Sequence, residues 1–582
     1  MTTTMTSARE LSRTAPAVGL LAFLCLALSP QAAPNRSATS FSPKLTTAEK
    51  AAAARVTAAE ISGHTRFLAD DLLEGRFPGT RGDEIAIRYL ATELETMGYR
   101  PAATGADGKS SWFQQVPLIR HTASVPPEVV FRAGTRQLAL SSHAGANADI
   151  VLRSMGNTDR AVAKDAELVF VGYGIVAPEH GWDDYRGIDV KGKIVVLLNF
   201  NPPWAGKDVR LWYGRWDYKY IEAARHGALG ALLIHTPESA SYPWQVVSSS
   251  NVPVGFSLPA EEDSDPHLAF QAWITRDAAT RLFALAGRDL NRDEAASTTP
   301  GGKGGPSVSL GVTASFEMPV VRERVETSNV VGILPGSDPK LAGEAVLYTA
   351  HHDHLGTRNP SVRGERNVYA GALDNASGCG TVLTIARALA ASPPRRSVVV
   401  AFVAAEEQGL LGSHWYAAHP TVKAGRIAAV INVDSINHLG RTRDVGFLGL
   451  GKSSLDGVVK ALATAQGRTV HGDPFPDKGS FYRSDDFELA RVGVPTARIK
   501  GGPSYVGRPE GWGKEQSDLY VQRNYHQPSD VYPASPASWD LSGAVEDAQL
   551  QLLIGMRTGN DPQLPTWKPG DEFERARLSA PR

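Results

Sequence analysis

The chain reads as an α/β protein: a mostly parallel, mixed sheet with helices on both faces, interrupted by a smaller β-rich α/β unit. Three features of the sequence lead there. From about residue 315 onward, short apolar runs alternate with helix-period segments, as in sheets whose parallel strands are joined by crossover helices. One run, Ser397 to Ala405, is apolar nearly throughout, as a strand buried on both faces requires. Between 150 and 298 a second set of strand-like runs ends in glycines, and Thr299-Pro-Gly-Gly-Lys-Gly-Gly-Pro306 closes the block with linker composition.

Bulk properties remove several classes. The 582 residues carry 60 Lys+Arg against 61 Asp+Glu, and 42% are apolar, so charge is balanced and a sizeable core can form; intrinsic disorder is excluded. A nucleic-acid partner is not expected without a basic excess. Two cysteines, Cys25 and Cys379, do not make a disulfide scaffold. Residues 1–33 read as an export signal: Arg9 and Arg13 precede the apolar run Ala15 to Leu28, and Ser29 to Ala33 offers small residues for cleavage. The run is short for a membrane span and no later segment is long enough, so the mature chain is expected in the periplasm or the medium. A lipid anchor on Cys25 is the weaker alternative, because Leu24 is bulky where a small residue belongs.

The elements follow in order. Residues 34–59 are a tether, and 60–149 open the main domain. Within them Leu68, Leu72 and Leu73 mark one helical stretch, Gly75 to Gly82 a turn, and Ile85, Tyr89, Leu90 and Leu94 a second helix. Residues 112–152 alternate like strands. The inserted unit, 150–298, has strands at 167–174, 192–198 and 231–235 around a helix at 218–229. A linker is expected over 299–314 and the rest of the main domain over 315–557, before a polar tail at 558–582. In the main domain, strands are expected at Ala345–Ala350, Ser397–Ala405, Ile427–Val433 and Val494–Ile499. Helices are expected at Gly378–Ala391, Leu410–Ala418, Leu455–Gln466 and 536–557.

Ligands of such sheets bind beyond the carboxyl ends of the strands. There the sequence sets His351-His352-Asp353-His354, then Glu406-Glu407, then Asp434. Gly371 to Asn375 precedes a helix, and Asn524-Tyr-His-Gln-Pro-Ser-Asp530 lies further on. Each piece alone is unremarkable: a turn, a solvated helix start, an N-cap. Together they gather carboxylates and imidazoles at one rim, where unpaired burial would be costly and divalent cations would relieve it. His with Asp and Glu suits zinc.

As a set, Ala350-His351-His352-Asp353, Gly371 to Gly378 around Asp374-Asn375, Ala405-Glu406-Glu407, Asn432-Val433-Asp434, Ser484-Asp485 and Tyr525-His526 resemble the co-catalytic two-zinc aminopeptidases, a group that includes glutamate carboxypeptidases. Leu72 to Arg76 and Gly79 to Gly82 resemble its N-terminal segment, and 150–298 resembles an inserted protease-associated domain. The resemblance implies a zinc exopeptidase fold and two Zn²⁺ per chain, with peptides as substrates. Asp374 would bridge the ions, His351 and Asp434 complete one site, and Glu407 and His526 the other. It further implies Glu406 as general base, Tyr525 as oxyanion donor, Asp353 as the acceptor that orients His351, and a cis bond between Asp374 and Asn375. Asn375, Ser484 and Asp485 would touch substrate. Asp486 stands where many relatives carry His, which puts its contact in question.

Other signals have two readings. His352 and His354 are expected to face packing or solvent, and Cys379 to be a buried thiol. The Gly-rich stretch 500–519 is either a lid or a surface loop. The aromatic stretch 203–220, with Trp204, Trp212 and Trp216, either shapes the cleft or packs within the insertion. The leading functional expectation is an exported aminopeptidase. A carboxypeptidase or dipeptidase on the same scaffold would need Arg or Lys aimed at a substrate carboxylate. A non-catalytic receptor would be expected to have lost ligands, and a single-zinc cyclase is disfavoured by the full two-metal set.

Overall fold

The computed structural model describes residues 41–582 except 127, 143–146, 206–210, 251–253, 298–306, 359–363, 365, 474, 475, 477 and 478. The expected signal at 1–33, the start of the tether and most of the expected linker lie outside the described residues. No helix among the described residues is long and apolar enough to cross a membrane.

Along the chain, helices α1 (Ala58–Leu68) and α2 (Arg81–Thr96) lead into strand β1 (Phe113–Ala123). The inserted lobe follows with β2 (Ile150–Ser154), β3 (Arg160–Phe170), β4 (Ile194–Leu198), α3 (Trp216–Arg225), β5 (Gly230–His235) and β6 (Phe270–Thr275). The long strand β7 (Val308–Leu334) returns to the main lobe, which continues with β8 (Ala345–His351), α4 (Ser377–Ala390), β9 (Ser397–Val403), α5 (Leu411–Ala418) and β10 (Ile427–Asn432). Helices α6 (Asp486–Arg491), α7 (Trp512–Arg523) and α8 (Ser542–Asn560) complete it.

The central path of the sheet runs β10-β8-β9-β7-β3-β4-β5-β6-β2. Strand β8 is parallel to both β9 and β10, and β3, β4, β5 and β6 are mutually parallel; β7 is antiparallel to β9 and β3, and β2 to β6. The lobes therefore share one sheet, and β7 is the shared strand. Its 27 residues pair with β3 over 308–319, with β1 over 320–330 and with β9 over 330–334. This corrects the expected linker boundary: 308–314 is already strand. Leu310, Val312 and Ala314 alternate inward against the lobe's core, a period of two that the neighbouring glycines obscured.

Helices cover both faces of the main sheet. Val382, Leu383 and Ile385 of α4 and Leu550, Leu553 and Ile554 of α8 pack with Val346, Tyr348, Val400 and Ile431 on one face. Tyr416 of α5 and Leu489 of α6 pack with Leu347, Val399 and Val430 on the other. The expected strand at 494–499 is corrected. Thr496 makes only an isolated bridge to Val430, and the ladder strand is Ile499–Gly501, paired elsewhere. Pro495 has no N–H to give a ladder there. The stretch 500–519 is likewise not a simple loop, since it contains the start of α7. The helix expected at 536–557 begins later, at Ser542, and runs to Asn560.

Candidate metal centre

The expected ligands meet at the carboxyl ends of β8, β9 and β10. Asp374 sits between two imidazoles: His351 Nε2 lies 3.3 Å from its Oδ1, and His526 Nε2 lies 3.4 Å from its Oδ2. His526 Nε2 is also 2.9 Å from Glu407 Oε2. Two groups form around this shared carboxylate, His351–Asp374–Asp434 and His354–Asp374–Glu407, each with ligand atoms within 4.8 Å of one another. His351 Nε2 and His354 Nε2 are buried with no hydrogen-bond partner. Orphaned imidazole nitrogens facing carboxylates are what a cation would satisfy, and the donor set fits zinc.

Local structure explains the placement. Strand β8 ends at His351, whose Nδ1 is 3.3 Å from the main-chain carbonyl of Asp353 and 3.7 Å from its carboxylate. The carboxylate of Asp353 serves Glu406 and Glu407 instead, accepting their backbone N–H groups at 3.0 and 3.3 Å. The expected ring contact is the longer, and the turn after β9 delivers one N–H group to each carboxylate oxygen. Gly371 has φ +57, and a Cβ there would lie 2.5 Å from the His354 ring and 2.2 Å from the Asp374 carbonyl, so this turn needs glycine. The peptide bond between Asp374 and Asn375 is cis.

Two residues that the sequence offers only within longer motifs hold the site through its backbone. Asp530 accepts the N–H groups of Leu373 and Asp374, each at 3.1 Å. The buried Arg76 donates to the carbonyls of His352, Ala370 and Gly371 at 2.7, 2.7 and 3.1 Å, tying the segment after β8 to the turn before Asp374. His354, expected to face packing or solvent, places Nδ1 2.6 Å from Glu407 Oε1. His352 is a packed histidine, 3.1 Å from the Ser328 carbonyl and pushed down to about 4 by burial. The Cys379 thiol donates to the His351 carbonyl at 3.1 Å, and burial pushes it up to about 12.

The expected substrate contacts need correction. Asn375 is fully buried and spends its amide on the backbone: Nδ2 donates to Val433, and Oδ1 accepts from Gly378 and Ser435. Ser484 and Asp485 are fully buried beneath the cleft, Ser484 accepting from Asn432 at 2.7 Å. Asp486 pairs with Arg498 at 3.4 Å, and that guanidinium also lies 3.9 Å from Asp434.

Electrostatics show a site that calls for positive charge. Burial opposes ionisation of Asp374 and Glu407, but the neighbouring imidazoles outweigh it; Asp374 stays well below the usual carboxylate range and Glu407 is held at about 2. Glu406 is pushed well above its ordinary value by burial and by the carboxylates of Glu407, Asp485 and Asp434. A cation pair reverses that balance by favouring every carboxylate around it.

Two cavities meet at this centre. One, of about 320 Å³, is lined by Asp374, Asp434, Ile436, Leu448 and Lys500, and by Tyr520 of α7. The other, of about 120 Å³, runs under the inserted lobe past Glu407 and His526. Glu406, Tyr525, Arg483 and the lobe's Tyr242 line both. Tyr525 stacks on His526 with ring centroids 3.9 Å apart. From the aromatic stretch, Trp212 reaches across to Phe487 at 4.6 Å and Trp216 lines the second cavity, whereas Trp204 stacks on His180 within the lobe.

The site on this α/β fold gathers the donor set that a zinc ion would take. The family model of Peptidase family M28 matches residues 329–553, less than half of the chain, and the match spans the strands that carry the site. A probable zinc metalloprotease of Leptosphaeria maculans is 31% identical over 128 residues, 22% of this chain and 28% of that protein. A probable zinc metalloprotease of Pyrenophora teres f. teres is 32% identical over 114 residues, 20% of this chain and 23% of that protein. The chain thus matches less than a third of the length of these relatives. Among solved structures, an aminopeptidase from Aneurinibacillus sp. strain AM-1 shares the fold with a TM-score of 0.51 at 18% identity, over 90% of this chain and 98% of that one.

Proposed function

We propose that the protein is an exported zinc exopeptidase that releases amino acids from the N-terminus of peptides, with the inserted lobe, read as a protease-associated domain, capping its cleft. The observation that carries this is Asp374 facing His351 with one oxygen and His526 with the other, with Glu406 lining both cavities. His351, Asp374 and Asp434 would hold one ion, and Asp374, Glu407 and His526 the second, with His354 steadying Glu407. Two zinc ions bound there supply Lewis acidity and an activated water.

The protein groups do the rest. Glu406 takes the proton of the attacking water and passes it to the leaving amine. Tyr525 donates its hydroxyl to the carbonyl oxygen as charge develops on it. Asp434 and Asp473 line the larger cavity and give an α-ammonium group acidic neighbours, while Ile436 and Leu448 offer apolar wall to the first side chain. These features support cleavage from the amino end.

The test uses the zinc-loaded full-length protein on free, N-acetylated and C-amidated tetrapeptides. Release of the first residue that acetylation abolishes and amidation leaves intact is the expected result. Release from the other end, blocked by amidation, would make the protein a carboxypeptidase.

A further inference from the structure

The smaller cavity carries an arginine cluster that the proposed chemistry does not use. Arg153 on β2, Arg215 before α3, and Arg483 line it together with Glu406, Glu407 and His526. The Nε atoms of Arg153 and Arg215 are buried with no hydrogen-bond partner. Arg215 is 6% exposed and gives its NH2 to Asp217 at 2.9 Å, an acid that also lines the cavity. Arg483 lies 5.4 Å over the Tyr242 ring. Room for the Arg153 guanidinium is built in: a Cβ on Gly255 would stand 2.9 Å from its NH2. Buried guanidinium groups with unused donors are costly unless a partner arrives, and the partner that fits their planar fork is a carboxylate.

Resting on the reading of Glu406 as general base, we propose that this cavity is the subsite for the leaving part of the substrate and that Arg153 and Arg215 bind a carboxylate there. Because Glu406 lines both cavities, the scissile bond lies between them, with the first residue on the Asp434 side and the next on the arginine side. The carboxylate comes either from the free C-terminus of a dipeptide or from an acidic side chain just after the cleaved bond. The preferred substrates are then short or acidic peptides, and the inserted lobe, which contributes Arg153, Arg215 and Tyr242, sets that preference.

The test compares kcat/KM of the zinc-loaded full-length protein on Leu-Ala, Leu-Ala-amide and Leu-Glu-amide. Leu-Ala is expected to exceed Leu-Ala-amide by about tenfold or more, the effect of one charge-assisted contact. A matching gain for Leu-Glu-amide assigns the side chain as a source; a gain for Leu-Ala alone assigns the terminus. Arg153→Gln and Arg215→Gln should each collapse the acid-to-amide ratio, and Arg215→Lys should restore part of it. Equal rates on all three substrates, or equal loss on acid and amide in the variants, overturns the subsite. Calorimetry with Glu406→Gln protein decides the matter independently of turnover and of the arginine variants. Tighter binding of Leu-Ala than of its amide supports the subsite, and no difference overturns it. If no substrate turns over, the peptidase reading fails, while the binding comparison still judges the subsite.

Discussion

Asp353 holds Glu406 by its backbone, accepting the N–H of that residue at 3.0 Å while its second oxygen accepts from Glu407. One buried carboxylate thus places the candidate base and a candidate ligand from the same turn, where the chain leaves β9 through Ala405 at φ 54. Asp353→Asn keeps the size and loses one acceptor to an amide that faces an N–H. Zinc affinity should fall about 10–100-fold, as when other outer partners of ligands are removed. Competition with a chelator measures it, and undiminished affinity would show that the anchor is dispensable.

Glu406→Gln keeps the shape and removes the base. Zinc content should stay at the wild-type level while kcat drops by about 10²–10⁴. Metal analysis and steady-state kinetics on the same sample check this; near wild-type turnover would remove Glu406 from the role.

Metal removal should destabilise the fold. Asp374 is buried and Glu407 and Asp434 are half-buried, and the imidazoles of His351, His354 and His526 pair with Asp374 and Glu407. At free zinc 100 times its dissociation constant, one bound ion adds about 2.7 kcal/mol. The melting temperature should therefore rise with zinc, and Asp374→Asn should flatten the rise. A melting temperature insensitive to zinc in the unaltered protein would contradict the site.

A pH-dependent clasp joins the lobes. His414 of α5 lies 2.8 Å from Glu488 of α6 and 3.4 Å from Asp263 of the inserted lobe; Arg491, Asp265 and His267 complete the network. Burial opposes protonation of His414, but the two carboxylates prevail and lift it to about 10. The folded value lies above the ordinary 6.5, so the protonated form stabilises the fold. That contribution is complete below about pH 6.5 and is lost as pH rises through about 10. Against His414→Gln, the wild type should melt several degrees higher at pH 6, and the two melting curves should converge toward pH 10. A constant difference would mean that His414 acts by packing alone.

Much of this was legible because the chemistry lies next to strand ends. His351, Glu406 and Asp434 each follow an apolar run directly, with Asp353 and Glu407 one or two residues further on, so the pattern that marks the strands also marks the rim. His354 was misjudged because its neighbour, Glu407, is 53 residues away and nothing local links them. Asp530 and Arg76 act through backbone groups, which carry no sequence signal at the receiving end. Asn375, Ser484 and Asp485 sit within motifs and were expected to touch substrate, yet burial turns them inward.

By itself the sequence determined the α/β class, most of the main-domain strands and helices, and most of the carboxylates and imidazoles that gather, because hydrophobic period and strand-end position are local properties of the chain. Only the tertiary structure decided that β7 runs unbroken through both lobes and that Asp353 turns to the glutamates rather than chiefly to His351. It also decided that Arg153, Arg215 and Tyr242 come to stand beside Glu406. Those outcomes depend on sheet pairing and lobe packing between segments far apart in the chain, where one side chain's position is set by the sum of many others.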